Sequence, residues 1–133
     1  MSTFPNTNQA IFVTKGDTVI RSINKIMQSD NEPYIMGVRD YIVFTVRDLA
    51  DYGRIPDRNL FQTRLTNADY DDDYALPFII PAAVTNTWAV GDYCYDVKLF
   101  QVGENSETYE NTVIKYSLLR VTTAVTGREV NIN

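Results

Sequence analysis

Histidine is absent from all 133 residues of the chain. That excludes Ser-His-Asp triads, histidine general bases and the usual imidazole-ligated zinc or haem centres. A single cysteine, Cys94, excludes an internal disulfide and any CxxC metal or redox motif. Basic residues are few: twelve Lys and Arg stand against seventeen Asp and Glu, for a net charge of −5. That balance opposes a nucleic-acid footprint, which needs a basic face. Long apolar runs are missing too. The longest, Ala75 to Val84, is broken by Pro77 and Pro81, so no segment approaches the roughly 20 apolar residues of a membrane-spanning helix.

The start, Met1-Ser2-Thr3-Phe4-Pro5-Asn6, has neither a basic region nor an apolar stretch, so no signal peptide is expected. No N-x-S/T acceptor occurs, and the lone thiol suits a reducing site of synthesis. The expectation is a protein made in a cytoplasm, with no membrane partner.

Hydrophobic residues make up 44% and charged residues 22%, which suits a globular chain and not a disordered one. The length matches one domain. Residues 1–9 are small and polar and read as a loose arm, leaving 10–133 as a single domain. Ala10–Thr14 reads as a short strand turned by Lys15-Gly16-Asp17. Val19, Ile20, Ile23, Ile26 and Met27 recur at helical spacing, although the same residues would suit a bowed strand. Asp30-Asn31-Glu32-Pro33 reads as a turn, and Gly37 as the close of a second.

Tyr41–Val46 is nearly all β-branched or aromatic and is the clearest strand, with Ile42, Phe44 and Val46 on one face. Asp48–Asn59 reads as loop, Leu60–Leu65 as a strand, and the proline-bounded Leu76–Ile80 as an edge strand. From Tyr93 to Gln101, Tyr93, Tyr95, Val97 and Leu99 alternate with Cys94, Asp96 and Lys98, the pattern of a half-buried antiparallel strand. Tyr109 to Val125 is extended. The sum is an all-β antiparallel sandwich of about seven strands.

Few residues point to chemistry. Ser22-Ile23-Asn24-Lys25 fits S-x-x-K and Ser29-Asp30-Asn31 fits S-D-N, two motifs of serine β-lactamases. They stand too close together and no K-T-G follows, so they read as polar residues on a solvated face. Asp69, Asp71 and Asp73 match positions one, three and five of a calcium loop, but Tyr74 and Ile80 stand where its Gly and Glu belong. Two readings remain open there: a looser cation site, or an acidic solvated loop that opposes aggregation. Cys94 has no histidine to activate it and reads as a thiol facing outward or into a side contact. No cofactor is expected, and no catalytic residue is selected. Nine tyrosines and Trp88 are the richer signal. Trp88, Tyr93, Tyr95, Tyr70 and Tyr74 could form a protein interface or a sugar-stacking surface, or serve as core and cross-strand pairs.

Taken in order, several stretches resemble one family. They are Lys15-Gly16-Asp17-Thr18; Asp30-Asn31-Glu32-Pro33-Tyr34-Ile35-Met36-Gly37; and Tyr41-Ile42-Val43-Phe44-Thr45-Val46-Arg47-Asp48. Asn86-Thr87-Trp88-Ala89-Val90-Gly91-Asp92-Tyr93-Cys94-Tyr95-Asp96-Val97 and the terminal Val121-Thr122 complete the pattern. The chain thus resembles the N-terminal domain of phage baseplate upper proteins and related small tail or baseplate proteins, from about Lys15 to Thr122. The resemblance implies an immunoglobulin-like sandwich in a virion, made in a bacterial host. Its role would be docking to other phage structural proteins, with homo-oligomer formation and no enzymatic activity. It also implies that Thr18–Ile26 is a strand, against the helical spacing. One departure is that Val113-Ile114-Lys115-Tyr116 runs without the glycine the family carries in its last long strand.

Overall fold

A computed structural model describes residues 9–29, 31–48 and 59–123. Among these, nine strands form: β1 (Ile11–Thr14), β2 (Val19–Ile23), β3 (Met27–Ser29), β4 (Glu32–Pro33), β5 (Tyr41–Asp48), β6 (Phe61–Thr66), β7 (Leu76–Ile80), β8 (Gly91–Val102) and β9 (Thr108–Thr122). A one-turn helix, α1 (Ala82–Thr85), and a 3-10 turn at Asn67–Asp69 are the helical pieces described. Residues 1–8 of the expected 1–9 arm, most of the 48–59 loop, Asp30 and the end of the last strand toward Val125 lie outside the described residues.

The main sheet has five strands in the order β1-β9-β8-β5-β6. Its centre is β5 and β8, the two segments whose alternation was clearest. Ile42, Phe44 and Val46 of β5 are buried, as are Tyr93, Tyr95, Val97 and Leu99 of β8. Antiparallel pairing sets Phe44 opposite Val97 and Val46 opposite Tyr95, so these side chains share the inner face. The sheet is curled into a half-barrel. A local cause is visible in the β8–β9 ladder, whose register shifts between Tyr95 and Val97 and again between Val97 and Lys98. Each shift adds a residue to β9, and bulges of this kind bend a strand and sharpen its twist. They fall beside Val113–Tyr116, the stretch without glycine.

β2 and β7 form a separate antiparallel ribbon, with Val19 opposite Ile80 and Ile23 opposite Leu76. Its inner face buries Val19, Ile23, Leu76, Phe78 and Ile80. The Phe78 ring lies 4.4 Å from Phe44, which joins the ribbon to the sheet. β3 and β4 make a third, minimal pair.

The chain is therefore mostly β, as expected, and its main sheet is a curled half-barrel, which does not clearly make the expected antiparallel sandwich of about seven strands. Nine strands divide into sheets of five, two and two, and β1 runs parallel to β9. The helical spacing at 19–27 makes no helix, and the strand that the resemblance implied over Thr18–Ile26 forms at Val19–Ile23. Val19 and Ile23 both point inward, but residues four apart share a face in a strand as well as in a helix. Ile20 is exposed. Gly37 opens a turn and does not close one: its carbonyl accepts the Asp40 amide at 3.2 Å. Cys94 is buried, its thiol 3.6 Å from the Arg47 carbonyl and 3.7 Å from that of Asp48. It does not face outward.

Candidate functional site: the outer face of the ribbon

β2 and β7 keep their apolar inner residues against the sheet, so alternation sends Ile20, Ser22, Pro77 and Ile79 outward. Ile20 and Ile79 are direct cross-strand partners, and they remain 65% and 55% exposed. Two β-branched side chains standing together in water form a compact apolar patch flanked by exposed Pro77 and Ser22. Scattered exposed hydrophobics are ordinary, but a registered pair that no layer covers among the described residues is a natural contact point. Phe12, at 58%, is exposed on the outward face of β1.

The ribbon is anchored from its β1 side and from α1. Gly16 adopts φ +87°, which lets the chain reverse between β1 and β2. Lys15 Nζ then donates to the Asn86 carbonyl at 2.8 Å and to that of Trp88 at 2.6 Å. Thr85 Oγ1 donates to the Asp17 carbonyl at 2.7 Å. The Lys15–Thr18 turn and the stretch that opens at Asn86 are thus tied together. Both are parts of the pattern that carried the family resemblance.

The aromatic candidates separate into two groups. Trp88, Tyr93 and Tyr95 are all buried, so of the two uses left open for them core packing is the one that forms, and they are not exposed interface or stacking rings. Trp88 packs on Tyr93 with centroids 5.8 Å apart. The Tyr93 hydroxyl donates to the Ala89 carbonyl at 2.7 Å, and that of Tyr95 to the Gln9 carbonyl. These rings belong to the core because their polar tips find backbone acceptors at its margin. Tyr70 is half-buried, and its hydroxyl accepts the Met36 amide at 2.9 Å. Tyr74 is exposed and meets Tyr70 edge-on at 5.6 Å.

The acidic stretch likewise organises itself. Asp69 closes a capping box, its Oδ2 accepting the Thr66 amide at 2.7 Å. Asp71 Oδ1 accepts the Asp73 amide at 2.8 Å and the Ala75 amide at 3.0 Å, an Asx arrangement that shapes the turn. Two of the three carboxylates are therefore committed to backbone donors. Among the described residues no three His, Cys, Asp or Glu side chains are grouped to hold a metal ion. Ser22 and Lys25 of the S-x-x-K stretch are exposed, as a solvated face requires.

Asp40 escaped the sequence reading. It is buried, and its carboxylate accepts the Gly37 amide at 2.9 Å, the Val102 amide at 3.1 Å and the Tyr34 hydroxyl. Burial, reinforced by the bond to Asp40, pushes the Tyr34 phenol up to about 12. Burial also raises Tyr70. This cluster joins the loop before β5 to the end of β8, a structural task. Its only signal in sequence is an Asp just ahead of a strand, and that is a common arrangement.

The chain matches no family model and no curated protein.

Proposed function

We propose that this chain is a structural phage virion protein of the tail or baseplate, a docking and assembly module that works by protein–protein contact. It is made in the bacterial cytoplasm, assembles with copies of itself and with other phage structural proteins, and needs no cofactor, nucleic acid or membrane. It is not an enzyme. The observation that carries the reading is the outward Ile20–Ile79 pair on a ribbon that no other layer covers among the described residues. Burying an isoleucine fully is worth about 1.5–3 kcal/mol, so two half-exposed ones offer a partner about 2–3 kcal/mol. The order of motifs from Lys15 to Thr122 supports the family assignment. The curled sheet with β2 and β7 over its inner face is, on this reading, a divergent immunoglobulin-like sandwich. Phe44 against Phe78 supports the two-layer description.

A carbohydrate-binding module on the same fold is the alternative. It has less support, because it needs flat exposed rings and of the aromatic candidates only Tyr74 is one.

Light scattering across a wide concentration range tests the proposal. The wild-type chain should gain mass with concentration. Ile20→Thr combined with Ile79→Lys should hold it monomeric while circular dichroism stays unchanged. A wild-type chain that stays monomeric throughout overturns the homo-oligomeric assembly reading, and unchanged association of the variant overturns the assigned surface.

A further inference from the structure

We propose that the half-open cavity between β2 and the curled sheet is a binding site for a small amphipathic carboxylate, an aromatic or short acyl body carrying one anionic head. The cavity has a volume of about 240 Å3. Its floor is apolar, built by Phe44, Phe78, Tyr95, Val97 and Ile114 from the inner faces of both layers. Arg21, Ser22, Asn24 and Lys25 stand along its β2 side.

The charge distribution is the telling part. The chain carries a net charge of −5 with seventeen acidic residues. Yet no acidic residue is among the described lining, and two basic ones are. Arg21 is held in place by its own backbone surroundings, Nη1 donating to the Ile20 carbonyl at 2.9 Å and Nη2 to the Phe12 carbonyl at 3.5 Å. A guanidinium has further N–H groups beyond those two bonds, so it can still donate to a ligand. Among the described residues neither Arg21 nor Lys25 forms a salt bridge. Two cations beside an apolar chamber favour a ligand that is anionic at one end only, because charge-assisted bonds to a carboxylate are the strong ones.

Size narrows the class. A cavity of about 150 Å3 lined by apolar side chains accepts benzene and stays free of water. The chamber here exceeds that by enough for a ring with a short side chain, and falls below the roughly 300 Å3 at which drug-sized pockets begin. Phe44, Phe78 and Tyr95 offer aromatic faces to such a body. Ser22, Asn24 and Gln9 add neutral polar groups to the lining. The site is on the inner side of β2, whereas Ile20 and Ile79 point outward, so binding here and assembly there can succeed or fail separately.

The test is a titration of the isotopically labelled full chain, followed by amide resonances of β2 and the Arg21 side-chain Nε signal. The probes are phenylpropionate and octanoate, each beside its neutral amide. The expected result is saturable one-site binding of the acids, about tenfold weaker binding of the amides, and weakening by added salt. Lys25→Glu, at an exposed position, should weaken the acids about tenfold and leave the amides unchanged. Asn24→Trp, also exposed and beyond the end of β2, should obstruct all four probes without unfolding the chain. Absence of saturable binding at millimolar probe overturns the site. Equal affinity for acid and amide overturns the assignment of the ligand class. Indifference to both variants overturns the location.

Discussion

The sheet and the ribbon are built from the same alternation of residues, yet they stand in opposite situations. In the sheet, β8 is paired on both sides, by β5 and by β9, over nearly its whole length. In the ribbon, among the described residues, β2 and β7 have only each other. A two-stranded ribbon alone is marginal in water, so this one exists because Val19, Ile23, Leu76, Phe78 and Ile80 are buried against the sheet. The sheet is secured by hydrogen-bond ladders, the ribbon by one apolar face. A surface that depends on its inner side for stability is free to vary its outer side, and that is where Ile20 and Ile79 are found.

The strongest way to break this contrast is at Phe44, whose ring meets Phe78 at 4.4 Å, Tyr95 at 5.3 Å and Phe61 at 6.3 Å. Phe44→Ala should cost about 3–5 kcal/mol in urea unfolding, a transfer loss plus a cavity. Hydrogen exchange in the same variant should quicken in β2 and β7 more than in β8, because the ribbon loses its anchor while the sheet keeps its ladder. Equal acceleration in both would show that the two layers open as one unit.

A smaller effect is expected at Asp40, where the end of the sheet is tied by polar contacts. Asp40→Ala leaves the part-buried Gly37 and Val102 amides without their acceptor and should cost about 1–3 kcal/mol. Asp40→Asn keeps one acceptor oxygen and should lose less. Protection of the β2 and β7 amides should be unaffected relative to the global loss, since the ribbon does not depend on this cluster. Selective opening of the ribbon in Asp40→Ala would erase the distinction.

The same physics explains what could be read from sequence. β5 and β8 were legible because one face of each is buried along its length, so burial and alternation coincide residue by residue. β2 was not, because Val19 and Ile23 are four apart and Ile26, also buried, follows the end of the strand. That spacing satisfies a strand and a helix alike. The parallel pairing of β1 with β9 joins Ile11 to Leu119, a contact between the two ends of the described chain that no local pattern encodes. Trp88 and the tyrosines of β8 stayed open between surface and core because an aromatic with a polar tip suits an interface and a core margin equally. Their backbone acceptors, Ala89 and Gln9, decide between the two, and those are tertiary facts. The cavity drew no notice because its floor comes from β5, β7, β8 and β9 together.

The finest contrast is in titration, and it again sets the polar end of the sheet apart from the ribbon, which carries no tyrosine. Tyr34 has its phenol raised from 10.0 to about 12, first by burial and then by its bond to Asp40. A raised folded value means that the unfolded chain releases this proton first. The contribution to stability is therefore whole below about pH 10 and is lost as pH rises toward 12. Tyr70, Tyr93 and Tyr95 are raised as well, each chiefly by burial, and they add to the same alkaline loss. Tyr34→Phe isolates one share. Urea midpoints followed from about pH 9 upward should fall less steeply in the variant than in the wild type, the two lines converging as pH rises. Parallel lines would mean that the hydroxyl of Tyr34 is neither buried nor held by Asp40 in solution. The cluster would then rest on the Gly37 and Val102 amides alone.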